Sequence, residues 1–453
     1  MALYALCDAN NFFASAERLF RPDLKHTPVL VSSSNDGCTI ARCALTKALG
    51  FKMGQPLYQV RGLIEQHNVK VFSSNFTLYG DISHRMMATL EMAAPCQPYS
   101  IDEAFLILSD MGRLLQTQSD AQRECTVAGP ADGRHTRLQH SSGDISLRQP
   151  AEAWGRNLLK TVKKHVGIDV CIGIAPTKTL AKLANHGAKC YPATQGVVDL
   201  TRRDRQRRLL AITDVGDVWG VGGRSAEKLN NLGITTALQL AEADPHYIRQ
   251  RFSVVMERII HELNGIDCVF LHDYSDEKPQ QIMRSKTFGH KITQLDDLLS
   301  AITAFVVVIG DKLRSNAQLT GYIQVYARTN YHQRGAPQYM PSLGRRLVTP
   351  TNDTIALLNI AVSLVKAFYR AGFNYAKAGV VVSDLCDSYQ QQGELFDSGI
   401  GRPELMAVMD KINHSTKSRV TLARQIGQQP WMPKRESLSQ CYTTRWSDLP
   451  VVR

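Results

Sequence analysis

The sequence predicts an α+β, multidomain fold on three observations. The 453 residues are enough for two to four domains with their own cores. In the first half, short apolar runs typical of buried strands alternate with helical patterns, an order that suits an antiparallel sheet backed by helices. Between residues 286 and 386 the patterns follow one another as β-α-β-β-α-β, which predicts a split βαβ domain.

The charge distribution predicts a polyanionic partner. The formal net charge is +12, and residues 281–386 hold 12 lysines and arginines against 5 acidic residues. A second cluster, TRRDRQRRLL, places five arginines between 201 and 208. Because neutralising phosphates drives sequence-independent binding to nucleic acids, such localised charge favours DNA as the partner. A solvated basic surface without a partner is the alternative.

Other features exclude several classes of protein. Ten cysteines are scattered singly without a CxxC, which predicts reduced thiols in the cytoplasm and argues against a zinc site or a disulfide framework. The first residues carry no basic region before an apolar run, so we expect no signal peptide. The longest apolar run, AITAFVVVIG, is too short to span a bilayer, so we expect no membrane partner.

The first elements follow from hydrophobic periodicity and turn residues. ALYALCD predicts a strand that turns into a short helix carrying Phe13 and Glu17, with Glu17 on the helix surface. HTPVLVSSS predicts a strand, NDGC its turn, and TIARCALTKALG a helix ended by Gly50. YSIDEAFLIL has the pattern of a hairpin. A longer helix, in SSNFTLYGDISHRMMATLEMAA, places four apolar residues on one face: Leu78, Ile82, Met86 and Leu90.

The middle of the chain contains an interruption and then regular patterns. Residues from about 110 to 150 are polar, rich in Gly and Ser, and without periodicity, which predicts a surface insertion. AEAWGRNLLKTVKKHVG then predicts an amphipathic helix, DVCIGIA a strand, and the segment from Lys178 to about Ala188 another helix. Beyond Asp387 the sequence is polar and linker-like apart from two islands, QGELFDSG and QQPWMPKRESLSQCYTTRWSDL.

The segment VGDVWGVGGRSAEKLNNLGI matches a helix-hairpin-helix. Its Gly220, Val221 and Gly222 would form a tight hairpin whose backbone N–H groups, at a helix N-terminus, can hold a DNA phosphate. An ordinary glycine turn between packed helices is the alternative.

Three acidic residues in two motifs indicate the chemistry. Asp8 ends ALYALCD, and Asp102 and Glu103 lie inside YSIDEAFLIL. Carboxylates at the ends of buried strands could lie on one rigid edge and hold a pair of divalent ions. Magnesium prefers such oxygen ligands together with substrate phosphates. Two ions would stabilise both the attacking and the leaving oxygen of a phosphoryl displacement.

Three further segments extend this pattern: DANNFFASAE, NDGCTIARCALTKALGFKMG and CIGIAPTKTLAKLANHGAK. Together and in this order they closely resemble the Y-family DNA polymerases, and within them the UmuC type, the catalytic subunit of DNA polymerase V. The resemblance runs from residue 1 to the C-terminus and is broken only between about 110 and 150. It implies a right-hand polymerase with a palm (1–19 and 76–189), small fingers (20–75), a helix-hairpin-helix thumb (190–270), a split βαβ little finger (281–386) and a C-terminal partner-binding tail (387–453).

The resemblance implies roles for the acidic residues. Asp8, Asp102 and Glu103 match the catalytic, metal-binding carboxylates of the family, and the carbonyl of Ala9 would be a further ligand. The implied cofactor is a pair of Mg²⁺ ions. Glu17 is close by in sequence, but we expect no metal ligation from it.

The resemblance also implies the residues that contact the incoming nucleotide. Phe13 occupies the steric-gate position, where a ring against the sugar leaves no room for a ribose 2′-hydroxyl. Phe12 is either a second nucleotide contact or a core aromatic. Lys47 and Lys189 match basic residues that contact the triphosphate, and Arg42 is expected in the same fingers helix as Lys47.

Contacts to DNA and to a sliding clamp are implied as well. The expected DNA-binding residues are the three of the hairpin together with Arg345 and Arg346 of the little finger. Gln392, Leu395 and Phe396 form a QxxLF peptide that resembles the bacterial clamp-binding pentapeptide. A flexible segment with two adjacent apolar anchors can dock in a preformed pocket.

The implied function is an error-prone translesion DNA polymerase, which adds deoxynucleotides to a primer 3′ end opposite damaged template in SOS-type repair and mutagenesis. Its substrates would be primed template DNA and deoxynucleoside triphosphates. Its partners would be a processed UmuD-type dimer, a RecA filament and the sliding clamp, and its location the cytoplasm, associated with the nucleoid. Two alternatives are a non-catalytic DNA- or clamp-binding regulator that keeps the polymerase shape, and a nucleotidyl cyclase.

Overall fold

The computed structural model describes residues 2–108, 150–269, 278–333, 335–390, 402–415, 420–425, 429 and 431–449. Two compact units divide the chain. The first comprises Met1–Val31, Thr39–His272 and Leu438–Arg453, and the second comprises Ser32–Cys38 and Asp273–Ser437. The insertion predicted at about 110–150 lies almost wholly outside the described residues, and so does the whole QxxLF peptide.

The N-terminal part of the chain contains two sheets. Its strands are β1 (Tyr4–Ala9), β2 (Val29–Ser32), β3 (Thr39–Arg42), β4 (Lys70–Ser73), β5 (Cys96–Pro98), β6 (Glu103–Ile107), β7 (Val170–Ala175) and β8 (Val197–Asp199). The larger sheet has the order β5-β6-β1-β7-β8 and the smaller one β3-β2-β4. β1 is antiparallel to β6 and β7, whereas β8 is parallel to β7. The large sheet is therefore mixed and not purely antiparallel as predicted.

Helices pack against both sheets, and those on the large sheet cover both of its faces. They are α1 (Phe12–Leu19), α2 (Ala44–Ala48), α3 (Arg61–Gln66), α4 (Phe76–Glu91), α5 (Pro150–Val166) and α6 (Lys178–Cys190). Ala5 and Cys7 of β1 belong to one core with α1, α4 and α5, while Leu6 faces the opposite core with α6. This alternation follows from the two-residue period of a strand. The four apolar residues predicted for one face of α4 are all buried.

The predicted helix over TIARCALTKALG is wrong in its first half. Thr39–Arg42 is strand β3, and only Ala44–Ala48 forms a helix, which Gly50 follows with a left-handed φ of 86°. Thr39–Arg42 is a strand because it pairs with β2, a fully buried strand, and the periodicity of the segment itself does not show this pairing. Arg42 and Lys47 therefore lie on different elements and not on one helix.

Helices also form the rest of the first unit. They are α7 (Arg203–Ile212), α8 (Gly223–Asn231), α9 (Ala237–Glu242), α10 (Pro245–Arg251) and α11 (Val254–Leu263). Gly220 has a left-handed φ of 89°, and a Cβ at this position would lie 2.8 Å from Ile259. Gly222 then caps the N-terminus of α8. The left-handed φ therefore favours glycine at 220, and the end of the Ile259 side chain would have to shift for a larger residue.

The second unit has the predicted β-α-β-β-α-β order. Its elements are β9 (Ile282–Ile292), α12 (Leu295–Ser315), β10 (Gln318–Thr329), β11 (Ser342–Thr351), α13 (Thr354–Phe368) and β12 (Tyr375–Asp387). The strands form one antiparallel sheet in the order β11-β10-β12-β9. Phe305 of α12, Leu357 of α13 and Ile323 of β10 are buried in a shared core.

The described parts of the tail contain a helix and a buried aromatic ring that the linker-like sequence did not indicate. Helix α14 (Pro403–Ser415) was not predicted, and it is anchored by an ion pair in which Arg314 Nε lies 2.5 Å from Asp410 Oδ2. Trp431 is buried against Phe305, with ring centroids 5.8 Å apart. The sequence pattern of the tail did not predict these contacts, because Arg314 and Phe305 are distant from Asp410 and Trp431 in sequence. Across the described parts of the chain, no helix is both long and apolar enough to cross a membrane.

Candidate active site

Strand pairing brings the three predicted carboxylates to one edge of the large sheet. Asp8 of β1 lies directly opposite Glu103 of β6 in the antiparallel register. The backbone N–H of Ala9 donates to the carbonyl of Asp102 at 2.9 Å, which continues the pairing past the end of β6. The two acidic motifs, more than ninety residues apart in sequence, are therefore joined by backbone hydrogen bonds.

Each carboxylate has a partner of its own. Lys189 Nζ lies 2.5 Å from Asp8 Oδ1, and Lys182 Nζ donates to Glu103 Oε2 at 2.9 Å. The hydroxyl of Ser100 donates to Asp102 Oδ1 at 2.6 Å. Within the described ranges, no three His, Cys, Asp or Glu side chains converge into a ready-made metal cluster. Each of the three carboxylates thus has a cationic or hydroxyl partner: Lys189 for Asp8, Lys182 for Glu103 and Ser100 for Asp102.

The pKa values of Asp8 and Glu103 are shifted in opposite directions. Burial raises the pKa of Asp8 to about 7, against the opposing effect of Lys189. Burial also acts to raise the pKa of Glu103, but the hydrogen bond with Asp8 and the ammonium of Lys182 outweigh it and hold that pKa below its usual value. Asp8 is therefore the member of the pair whose charge changes near neutral pH.

A cavity of about 310 Å³ gathers eight of the nine residues predicted to bind metal or nucleotide. Those among its lining are Asp8, Ala9, Phe12, Phe13, Arg42, Lys47, Asp102 and Lys189. Asn11, Ile40, Ala41 and Met53 complete the lining and were not predicted. Glu103 is absent from this lining and reaches the site through its pairing with Asp8.

The donor set suits a hard divalent cation. Carboxylate and backbone carbonyl oxygens are the ligands that Mg²⁺ prefers, usually one or two carboxylates with substrate phosphates. Asp8 and Asp102 line one cavity, and Glu103 is next to Asp8. The ammonium of Lys189 already occupies the position of a positive partner for Asp8. These residues therefore fit the binding of magnesium at the sheet edge.

Family models match successive parts of the chain. The impB/mucB/samB family matches residues 7–186, its HHH motif residues 203–234 and its C-terminal domain residues 279–395. Residues 403–452 match a domain of unknown function (DUF4113). The chain is 40% identical to the protein ImpB of Salmonella typhimurium and 40% identical to the protein UmuC of Salmonella typhimurium strain LT2, in both cases over 100% of each chain.

The chain belongs to the UmuC-type Y-family DNA polymerases. It is a DNA-directed DNA polymerase of translesion synthesis in SOS mutagenesis, as the sequence motifs predict. A solved Y-family polymerase chimera, Dbh-Dpo4(243-245)-Dbh, has the same fold, with a TM-score of 0.61 and 17% identity over 85% of this chain and 99% of that one. The α+β right-hand fold predicted from the sequence is confirmed.

Two aromatic rings of α4 pack against Phe13 of this Y-family polymerase. The ring stacks on Tyr79 at 4.5 Å between centroids, and Phe76 meets its edge at 5.8 Å. Phe12 is only 2% exposed and belongs to the core, although it touches the cavity. Glu17 was expected on the helix surface, but it is completely buried. The reason is that α4 and the tail cover that face of α1 and supply hydrogen bonds to the carboxylate.

A second, larger cavity of about 840 Å³ adjoins the site and shares Asn11, Lys47 and Lys189 with it. Its lining also includes Lys160 and Lys164 of α5. Clefts lined by one sign of charge raise the local concentration of an oppositely charged ligand. With five lysines and one carboxylate, Asp169, in its lining, this second cavity is predominantly cationic.

Sequence reasoning overlooked Lys182, which pairs with Glu103 and lies 4.4 Å from the ring centroid of Tyr99. A signal for it existed, because Lys182 and Lys189 are seven residues apart and so share one face of helix α6. Tyr79 and Met53 carried no such signal. Their relation to the site comes only from the packing of distant segments.

The predicted DNA contacts of the polymerase lie in suitable local structure. Val221 is buried between Gly220 and Gly222, so the hairpin before α8 is anchored by an apolar side chain. Arg345 and Arg346 are exposed on β11, the edge strand of its sheet. Arg346 pairs with Tyr322 and Arg345 with Ile323. Since neighbours on a strand point to opposite faces, only Arg345 shares the face of the buried Ile323.

Proposed function

We propose that Asp8, Asp102 and Glu103, with the carbonyl of Ala9, hold two Mg²⁺ ions for the transfer of a deoxynucleotide to a primer 3′ end. The observation that carries this proposal is the shared cavity of Asp8 and Asp102 with Lys47 and Lys189. When bound, the ions would lower the pKa of the primer hydroxyl and neutralise the leaving pyrophosphate. No protein base is needed for this chemistry, since positioning and charge neutralisation supply most of the acceleration.

The lysines of the site bind the negatively charged triphosphate of the incoming nucleotide. Lys189 exchanges its partner Asp8 for the triphosphate when cations occupy the carboxylates. Lys47 contacts the same triphosphate from α2. Arg42 lies on β3, where its side chain donates a hydrogen bond to the carbonyl of Phe51 and adds positive charge near Lys47. Burial, together with the charges of Arg42 and Lys189, lowers the pKa of Lys47. A phosphate partner would reverse that shift, which favours binding.

Phe13 acts as the steric gate of the nucleotide site. Its ring lines the cavity beside Asp8 and Asp102, where the sugar of an incoming nucleotide would lie. The stack on Tyr79 holds the ring from the far side. A ribose 2′-hydroxyl would therefore meet a ring that cannot retreat.

The DNA itself is held by backbone contacts. The hairpin at Gly220, Val221 and Gly222 binds a phosphate of the primed duplex, and Arg345 and Arg346 bind phosphates through the second unit. Such contacts carry no base information, which suits an enzyme that copies damaged template.

The partners are those of a UmuC-type polymerase. A processed UmuD-type dimer, a RecA filament and the sliding clamp assemble with it in the cytoplasm, at the nucleoid. Gln392, Leu395 and Phe396 supply the clamp contact. The tail at 387–453 also provides the contacts to the other partner proteins.

A primer-extension assay on template with an abasic site tests this function. We expect extension that requires Mg²⁺ and rises on addition of the UmuD-type dimer and RecA. Asp102→Asn should remove the activity, while the matched Asp169→Asn, which changes an exposed carboxylate of the neighbouring cavity, should not. DNA binding without any metal-dependent extension would instead identify a non-catalytic regulator. Conversion of a nucleoside triphosphate without primed DNA would identify a cyclase.

A further inference from the structure

The ring of Phe13 is supported by the first turn of α4. Tyr79 stacks on it with an interplanar angle of 16°, and Phe76 meets it edge-on at 90°. Both supporting rings follow Asn75, whose side chain caps α4 by accepting a hydrogen bond from the backbone N–H of Leu78 at 3.2 Å. The position of the Phe13 ring therefore depends on where α4 begins.

A buried carboxylate ties this support back to the helix of Phe13. The hydroxyl of Tyr79 donates to Glu17 Oε1 at 2.5 Å, and Glu17 is completely buried. Phe13 and Glu17 are four residues apart on α1 and share one face of it. The ring stack and the hydrogen bond thus join α1 and α4 at two successive turns.

The third member of this group comes from the other end of the chain. The hydroxyl of Ser439 donates to the same Glu17 Oε1 at 3.0 Å and accepts from Asn75 Nδ2 at 3.0 Å. Asn75 Nδ2 also contacts the carbonyl of Ser439 at 3.1 Å. One residue of the tail therefore meets both the carboxylate that orients Tyr79 and the cap of α4.

Further contacts fix the tail segment 438–449 at this place. Leu438 forms a parallel β-bridge with Ser73 at the end of β4. Tyr442 is buried and stacks on Phe20, just after α1, at 4.7 Å between centroids. All of these residues belong to the first compact unit. The segment is thus anchored on both sides of Ser439, and its hydroxyl is held in place.

We propose that tail segment 438–449 positions the sugar-discriminating ring of Phe13, with Ser439, Glu17 and Tyr79 as positioning residues. The inference rests on the proposed role of Phe13 as steric gate. Glu17 Oε2 has no hydrogen-bond partner among the described residues, so the buried carboxylate relies on the donors at Oε1. A buried carboxylate that loses a donor draws more strongly on the remaining one or shifts, and either change moves the Tyr79 ring. A displaced Tyr79 leaves Phe13 free to retreat from a 2′-hydroxyl.

The test measures sugar selectivity in the full-length chain, as kcat/KM for a deoxynucleotide divided by kcat/KM for the matching ribonucleotide. Ser439→Ala and Tyr79→Phe each remove one donor to Glu17, and Tyr79→Phe keeps the stacking ring. We expect each to lower the selectivity by about five-fold, as one lost hydrogen bond predicts, with deoxynucleotide kcat/KM and Tm nearly unchanged. Thr444→Ala is the matched control, because it removes an exposed hydroxyl from the same segment and should leave selectivity as it is.

Two more variants separate positioning from mere packing. Ser439→Thr keeps a hydroxyl and should restore most of the selectivity. The double variant of Ser439→Ala and Tyr79→Phe should lose less than the product of the two single losses, because both act through Glu17. Simple multiplication of the losses, or an equal loss in Thr444→Ala, would overturn the positioning role.

Phe13→Ala distinguishes this inference from the function on which it rests. If Phe13→Ala loses selectivity but Ser439→Ala and Tyr79→Phe keep it, the gate stands and the role of the tail is refuted. If Phe13→Ala itself keeps selectivity, the gate assignment fails and the positioning role fails with it.

Discussion

The ammonium of Lys189 lies 2.5 Å from Oδ1 of Asp8, the carboxylate that ends the central strand of the large sheet. We therefore expect a divalent cation at Asp8 to compete with this ammonium. The displaced lysine would then meet the triphosphate that arrives with the cation. Under the proposed function, Asp8 and Lys189 exchange partners when the cation and the triphosphate bind.

The first prediction concerns pH. Burial raises the pKa of Asp8 to about 7, and only the deprotonated carboxylate binds a cation. The affinity for Mn²⁺, used as a probe for Mg²⁺, should therefore fall by up to about tenfold per pH unit below 7 and level off above 8. Lys189→Met removes the charge that lowers this pKa, so the midpoint should move to higher pH. Equal Mn²⁺ affinity at pH 6 and pH 8 in the wild-type chain would contradict the assignment.

The second prediction concerns the metal ligands. Asp8→Asn or Asp102→Asn should lower the rate of nucleotide addition by at least roughly 10²-fold, because charge stabilisation of the reacting phosphoryl group is lost. Affinity for primed DNA should stay close to wild type, since basic residues elsewhere carry it. Single-turnover extension and fluorescence anisotropy measure the two quantities. Extension at the wild-type rate by either variant would remove that carboxylate from the site.

The third prediction concerns the steric gate. Phe13→Ala opens the cavity beside the sugar and should raise ribonucleotide incorporation by roughly 10- to 100-fold, with a much smaller change for deoxynucleotides. Phe76→Ala removes only an edge-on support of the Phe13 ring, so it should raise ribonucleotide incorporation less than Phe13→Ala does. A larger effect from Phe76 than from Phe13 would place the gate elsewhere.

The fourth prediction concerns the affinity for DNA. Arg345→Ala and Arg346→Ala should weaken binding to all DNA sequences alike, and each should reduce the salt slope by about 1. Arg346 should have the larger effect, since it shares the sheet face of Tyr322 and not that of the buried Ile323. Lys366→Ala, an exposed charge on α13, is the control. A loss confined to one DNA sequence would indicate base recognition instead.

The fifth prediction concerns the clamp peptide. Replacing Gln392, Leu395 and Phe396 with Ala should abolish stimulation by the sliding clamp and leave unstimulated extension and Tm unchanged. Tethering raises the effective concentration of an enzyme at the primer end, into the mM range for a short flexible linker, and this gain is what the variant loses. A fall in Tm would place these residues in the fold. Retained stimulation would move the clamp contact to another part of the tail.

Much of the fold was accessible from the sequence, because the signals were local. Strands such as ALYALCD are continuous apolar runs, α4 repeats its apolar residues at helical spacing, and the β-α-β-β-α-β order of the second unit is legible from alternating patterns. The carboxylates were accessible for the same reason, since each ends or begins a strand. The cavity accordingly contains most of the residues predicted for it.

What the sequence could not determine depends on partners far along the chain. TIAR became strand β3 because β2 was available to pair with it, and Arg314 supplied an ion pair that holds α14. Glu17 has the sequence context of a surface residue, yet it is buried because α4 and the tail segment with Ser439, 422 residues away, cover it. A local pattern records which side chains share a face, but burial and hydrogen bonding are decided by whichever distant segment covers that face. The amino-acid sequence thus determined the chemistry at the strand ends, and only the tertiary structure decided what surrounds the Phe13 ring.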